Sequence, residues 1–271
     1  MRSYRRAMKI ERSMEEFCQR VLRLLINRKI DFLVGGYFAL RDYTGVQRDT
    51  KDLDLLVRPS DVAALLEVCR SAGYQAELVF THWLGKIRCG DCFIDVIFSS
   101  GNGICVVEDA WFVRSATCVI LDTPVRIAPL EEIIWQKAYI MERERFDGAD
   151  IAHLLLKCSQ RIDWQYLLRR FGPDWRVLLS HLVLFGFIYP SMRNAIPRAL
   201  MDELLRRVAS EQSSAAPRTT VCNGTLLSRR HFISDVESNG LFDARLAGRS
   251  AMTSNEVKEW TQAGVREAGF E

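Results

Sequence analysis

From Met14 to Asn27 the apolar residues Phe17, Val21, Leu24 and Leu25 fall on one helical face, with glutamate, arginine and glutamine on the other. A short apolar run from Ile30 to Val34 ends at Gly35-Gly36 and predicts a strand; Tyr37 to Tyr43 then has the length of a short helix. Leu53 to Val57 predicts a second strand. Pro59-Ser60-Asp61 punctuates it and starts a helix over Val62 to Ala72, with Ser60 as N-cap and Gly73 closing the far end. Gln75 to Phe80, Trp83 to Arg88 and Cys92 to Phe98 read as further strands, and Val125 to Ile127 as a last short one.

Pro129 opens a different regime. Leu130 to Met141, Asp147 to Cys158, Trp164 to Arg170, Trp175 to Phe187 and Ala199 to Ala209 all carry helical patterning. The aromatics Trp164, Trp175, Phe185, Phe187 and Tyr189 are assigned to the core of these helices rather than to a base-stacking platform. Ser210 to Thr220 is small and polar and reads as a linker. Beyond it apolar clusters are sparse, apart from a helix starting at the capping box Thr253-Ser-Asn-Glu256. The expected organisation is therefore an α/β domain over 1–128, a helical domain over 129–209, and a linker with a poorly defined tail over 210–271.

Composition changes little in this picture. Of 271 residues 48% are hydrophobic and 26% charged, as in ordinary globular domains. The net charge of +3 is too small to imply a nucleic-acid partner by itself. Arg2, Arg5, Arg6, Lys9, Arg169, Arg170, Arg206 and Arg207 would form an RNA-facing patch only on one shared surface. No stretch reaches the roughly 20 apolar residues of a spanning helix, and Val177 to Pro190, which contains His181, reads as a buried helix. No apolar run with a small-residue cleavage site follows the basic start, so no secretory signal and no membrane partner are expected. Eight cysteines at irregular spacing in a long chain suggest a reduced, cytoplasmic protein. Cys89-Gly-Asp-Cys92 lies between two strands and reads as a hairpin turn rather than a zinc or redox site. His82, His153, His181 and His231 are scattered, with His153 and His181 read as helix-packing residues.

The candidate chemistry lies in the carboxylates. Strand alternation puts Asp52 and Asp54 on one face and Leu53, Leu55 and Val57 on the other. If that strand starts early, Arg48 and Thr50 join the aspartate side. In CFIDVIFSS, Asp95 interrupts an apolar run, and a carboxylate there needs a cation or an open edge. Placed on neighbouring strands, Asp52, Asp54 and Asp95 would converge, the minimum for two metal ions about 3.5–4 Å apart. Hard oxygen ligands on a rigid strand suit Mg²⁺. A strand, two glycines and a helix start give backbone N–H groups room to approach a phosphate. Alone, Asp52 and Asp54 also fit a turn entering a strand; Asp95 and the glycines favour metal.

Gly35-Gly36, Asp52-x-Asp54 and a third aspartate, Asp95, resemble the core pattern of the nucleotidyltransferase superfamily that includes DNA polymerase beta. Arg48-x-Thr50-x-Asp52-x-Asp54 is similar to the version in AbiEii-type abortive-infection nucleotidyltransferases. KAYIMERERFDGAD is similar to their later motif, through Lys137, Arg143, Arg145, Asp147 and Asp150. The resemblance covers about Ile30 to Lys157. Tyr37 stands where that family often has a serine, and Phe146 separates Arg145 from Asp147, residues often adjacent there.

The resemblance implies an α/β (α+β) nucleotidyltransferase domain with a mixed sheet, followed by a helical domain that closes over the nucleotide. It implies transfer of a nucleoside monophosphate from an NTP such as ATP to an acceptor hydroxyl, with pyrophosphate released and two Mg²⁺ (or Mn²⁺) ions. Asp52, Asp54 and Asp95 would be catalytic and metal-binding. Gly35, Gly36, Arg48, Thr50, Lys137, Arg143 and Arg145 would bind the nucleotide, with Asp147 and Asp150 orienting Lys137 or Arg143. Lys137 and the charged run after it also fit a solvated helix face, and Asp147 also fits a helix N-cap. A tRNA or protein acceptor would suit a toxin paired with an antitoxin; a small hydroxylated molecule would suit a resistance enzyme. The rival reading is a catalytically silent nucleotide-sensing or partner-binding module of the same fold.

Overall fold

The computed structural model describes residues 12–215, 218 and 220–263. The chain divides into two units, Met1–Pro129 and Leu130–Glu271.

In the first unit, α1 (Arg12–Asn27) buries Met14, Phe17, Cys18, Val21, Leu22 and Leu25; of the predicted face Phe17, Val21 and Leu25 are buried and Leu24 is half-buried. It is followed by β1 (Leu33–Val34), α2 (Gly36–Thr44), β2 (Asp52–Leu56), α3 (Val62–Ser71), β3 (Gln75–Phe80), β4 (Leu84–Cys89) and β5 (Cys92–Ile97). Then come α4 (Asp109–Val113), β6 (Ala116–Ile120) and β7 (Thr123–Ile127). The seven strands form one mixed sheet in the order β3-β4-β5-β2-β1-β7-β6. β2 runs parallel to β5 and β1 parallel to β7, while the remaining pairs are antiparallel. Leu53 and Leu55 of β2 are fully buried, so the alternation of that strand holds.

Three details differ from the sequence expectation. Asp61, not Ser60, is the N-cap of α3, and Ser60 turns its hydroxyl to the Asp61 carboxylate at 3.0 Å. α4 has five residues, too few to show a helical period. The β6–β7 turn is made by Leu121 and Asp122, both in the left-handed region at φ 48° and 55°. Hairpin turns of that hand usually carry Asn-Gly, so this one leaves no signature in the residues.

The second unit contains α5 (Leu130–Ala138), α6 (Gly148–Cys158), α7 (Trp164–Phe171), α8 (Trp175–Ile188) and α9 (Arg198–Gln212). Short elements follow: β8 (Val221–Cys222), α10 (Ile233–Asn239), β9 (Phe242–Asp243) and α11 (Ser254–Gln262). α11 starts at the predicted capping box, with the Thr253 and Glu256 side chains each bonded to the other's backbone N–H. α8 buries Trp175, Leu178, His181, Leu182 and Phe185. Its other face is open: Phe187, expected in the core, is 80% exposed, beside exposed Val183 and Ile188. No helix among the described residues is long and apolar enough to cross a membrane.

Residues beyond 220 make polar contacts with the α5–α6 connection and with one another. Ser228 Oγ donates to Glu142 at 2.6 Å, and the Arg229 N–H donates to the same carboxylate at 2.9 Å. Arg245 is completely buried and gripped by Asp243, with Nη2 2.6 Å from Oδ2. β8 and β9 pair in parallel around this contact. Buried Leu226, Ala244, Met252, Val257 and Trp260, scattered rather than in runs, accompany these polar contacts.

Candidate metal centre

The parallel register of β2 and β5 sets Asp54 directly opposite Asp95 and Asp52 opposite Phe93. Asp52 and Asp54 share a face because they are two apart; Asp95 reaches that face because its partner in the register is Asp54. Each of the three residues offers one carboxylate oxygen, and these lie within 4.8 Å of one another. Asp52 and Asp54 are half-buried and Asp95 is buried. Hard, clustered oxygens of this kind suit Mg²⁺ or Mn²⁺.

The surroundings give each carboxylate its place. Thr50 precedes the strand, and its hydroxyl donates to Asp52 Oδ1 at 3.1 Å. Asp54 lies against Gly36: a Cβ there would stand 1.5 Å from Asp54 Oδ2, and Gly36 has φ +50°. The Gly35 N–H donates to the Asp54 carbonyl at 2.9 Å, so that amide belongs to the sheet rather than to a phosphate. Gly35 is the N-cap of α2, so the positive end of that helix begins beside Asp54.

Asp95 has a partner that sequence reasoning passed over. Lys86 of β4 is its cross-strand neighbour, and Lys86 Nζ lies 2.8 Å from Asp95 Oδ1, with both side chains nearly closed to solvent. The ammonium also sits 4.0 Å from the centroid of the Phe93 ring. Burial pushes the Asp95 carboxyl up to about 6; Lys86 pulls it down and Asp52 pushes it further up. The signal for Lys86 was present. The two-residue turn at Gly90-Asp91 pairs Cys89 with Cys92, and counting back from there puts Lys86 opposite Asp95.

The other predicted residues stand as follows. Arg48 is exposed in the loop before β2, its N–H donating to the Tyr37 hydroxyl at 3.2 Å and its guanidinium 5.6 Å from the Tyr37 ring. β2 does not extend back to Arg48 and Thr50, so strand alternation does not place them. In the second unit, Lys137 is buried, with Nζ 2.6 Å from Asp147 and 2.7 Å from Asp150. Arg145 donates to both oxygens of Asp147 at 2.8 and 3.0 Å, and Arg143 is exposed. Asp147 is the N-cap residue of α6, yet its carboxylate makes no capping bond and serves the cations instead.

Other sequence candidates have local roles. Cys89 and Cys92 flank the β4–β5 turn as free thiols. His181 is buried and donates from Nε2 to the Ala138 carbonyl at 3.0 Å. Of the arginines considered for RNA, Arg170 bonds Glu132 at 3.0 Å and covers the Trp135 ring, and Arg207 pairs with Glu203. Arg2, Arg5, Arg6 and Lys9 lie outside the described residues.

Nucleotidyltransferases stand among the solved structures similar to this chain. The antibiotic-resistance factor ANT(2'')-Ia is 20% identical, matched over 64% of this chain and 98% of its own, with a TM-score of 0.43. The lincosamide antibiotic adenylyltransferase LnuA, solved with lincomycin, is 17% identical over 54% and 96%, with a TM-score of 0.39. An antigenic nucleotidyltransferase-like protein from Paracoccidioides brasiliensis is 18% identical over 69% and 93%, with a TM-score of 0.44. No family model and no curated protein matches the chain.

Proposed function

We propose that the chain is a metal-dependent nucleotidyltransferase, moving a nucleoside monophosphate from an NTP to an acceptor hydroxyl. The observation that carries this is the convergence of Asp52, Asp54 and Asp95, one ligand oxygen each within 4.8 Å, next to the start of α2. A divalent ion held there would polarise the phosphoryl oxygens and draw the triphosphate to the site. The acceptor oxygen bonds to the α-phosphorus, the α–β bridging P–O bond breaks, and pyrophosphate leaves with the electron pair.

The chain's own residues have separate tasks. Asp52, steadied by Thr50, and Asp54, seated on Gly36, hold the ligand oxygens in place. Asp95 shares the site and accepts the acceptor's proton. The positive end of α2 favours the anionic phosphates. Arg48, exposed and tethered to Tyr37, supplies positive charge for the reacting phosphoryl group.

The test uses labelled NTPs, Mg²⁺ or Mn²⁺, and three acceptor classes: tRNA, protein and small hydroxylated molecules. Transfer to one class is expected. Asp54→Asn should lower it by more than the about 10–100-fold that loss of an outer-shell partner costs. Transfer at full rate in Asp54→Asn sinks the metal mechanism. Tight NTP binding with no transfer to any acceptor would favour the nucleotide-sensing module instead.

A further inference from the structure

The three carboxylates do not stand alone on their face of the sheet. Lys86 is 3% exposed, with its ammonium 2.8 Å from Asp95 Oδ1 and 4.0 Å from the Phe93 centroid. A lysine this buried needs a reason, because an ammonium in an apolar strand is costly unless paired. Its pairing is imposed by the chain itself: the tight β4–β5 turn sets the register Cys89↔Cys92, Arg88↔Phe93, Ile87↔Ile94 and Lys86↔Asp95. The ammonium is therefore delivered to the carboxylate by a local hairpin, independently of the β2–β5 pairing that assembles the trio.

We infer that Lys86 is a positioning residue of the metal centre: a built-in counter-cation that holds Asp95 in place beside Asp52 and Asp54, and thereby sets how tightly the centre holds a divalent ion. The inference rests on the metal reading of the trio. Three carboxylates with one ammonium carry a net charge of −2 instead of −3. Lys86 thus steadies the carboxylates when no ion is bound and competes with an ion when one arrives. Both effects follow from one charge a few ångströms from the ligand oxygens. A lysine that served only packing would do the first and not the second.

The experiment measures Mn²⁺ affinity by titration calorimetry or the Mn²⁺ spin-resonance signal, and melting temperature with and without saturating Mn²⁺. It uses wild type, Lys86→Met and Lys86→Arg in the full chain. Lys86→Met should melt below wild type without Mn²⁺, close most of that gap with it, and bind Mn²⁺ about tenfold more tightly. Lys86→Arg should keep wild-type behaviour in both measurements. If Lys86→Met folds only in the presence of Mn²⁺, that is the same result in stronger form. A melting deficit that is equal with and without Mn²⁺, at unchanged affinity, overturns the role of Lys86. A wild type that binds no Mn²⁺ overturns the reading of the trio on which this rests, and so separates the two failures.

Discussion

Gly36 and Asp54 contend for one volume. A methyl group on Gly36 would lie 1.5 Å from Asp54 Oδ2, and Gly36 holds a left-handed φ of +50°. The second glycine of the Gly-Gly pair is thus required by a carboxylate on a neighbouring strand as well as by its own backbone. Gly36→Ala should displace Asp54 and weaken Mn²⁺ binding by at least about tenfold. It should also cost about 1–2 kcal/mol of stability from the left-handed backbone. Calorimetric titration with Mn²⁺ checks the first, urea unfolding the second; unchanged Mn²⁺ affinity would separate the glycine from the metal site.

Lys137, Asp147 and Asp150 form a buried cluster whose members depend on one another. Lys137→Met leaves Asp150 without the ammonium beside it and should cost about 3–5 kcal/mol. A loss of less than about 1 kcal/mol in urea unfolding would mean that the cluster is solvated, as an exposed ion pair is.

The same cluster sets a pH dependence. Burial alone would raise the Asp147 carboxyl, but Lys137 and Arg145 outweigh it and hold the group below the usual carboxylate range. A depressed folded-state pKa contributes stability that is present above the unfolded value, near pH 4, and lost as pH falls below it. Wild-type stability should therefore drop through this acid window, and Asp147→Asn should show a shallower drop from a lower starting point. Parallel slopes for the two proteins below pH 4 would contradict this.

Asp243 and Arg245 make the corresponding prediction for the last fifty residues. Arg245 is fully enclosed, and its guanidinium is gripped by the Asp243 carboxylate. Asp243→Asn should destabilise the second unit by about 3–5 kcal/mol, because it strands a buried charge. Urea unfolding followed by tryptophan fluorescence measures this, since Trp260 belongs to the same unit. An unfolding curve identical to wild type would place the pair outside the cooperative unit.

The helices and most strands were legible because local patterns specify them. The period of α1, the capping box of α11 and the Gly-Asp turn between β4 and β5 each lie within a few neighbouring residues. β6 was not legible, because its turn uses Leu121 and Asp122 where the usual turn residues are absent. The segment after residue 220 was not legible because its buried apolar residues, Leu226, Met252, Val257 and Trp260, are dispersed and alternate with polar contacts such as Asp243–Arg245 and Ser228–Glu142. Phe187 was misplaced for the opposite reason: an apolar residue on a helix marks a face but does not say whether anything covers it.

Much the same division runs through the candidate metal centre. By itself the sequence determined that Asp52 and Asp54 share a face and that Asp95 needs a cation or an open edge; the cysteine-flanked turn also encodes Lys86 opposite Asp95, a signal the sequence reading passed over. These are consequences of alternation and hairpin register, both local. Only the tertiary structure decided that β5 lies beside β2 in parallel with Asp54 opposite Asp95, and that Asp54 fills the space at Gly36. Parallel pairing joins strands distant in the chain, and its register is set by packing of the whole sheet, which no short stretch of residues encodes.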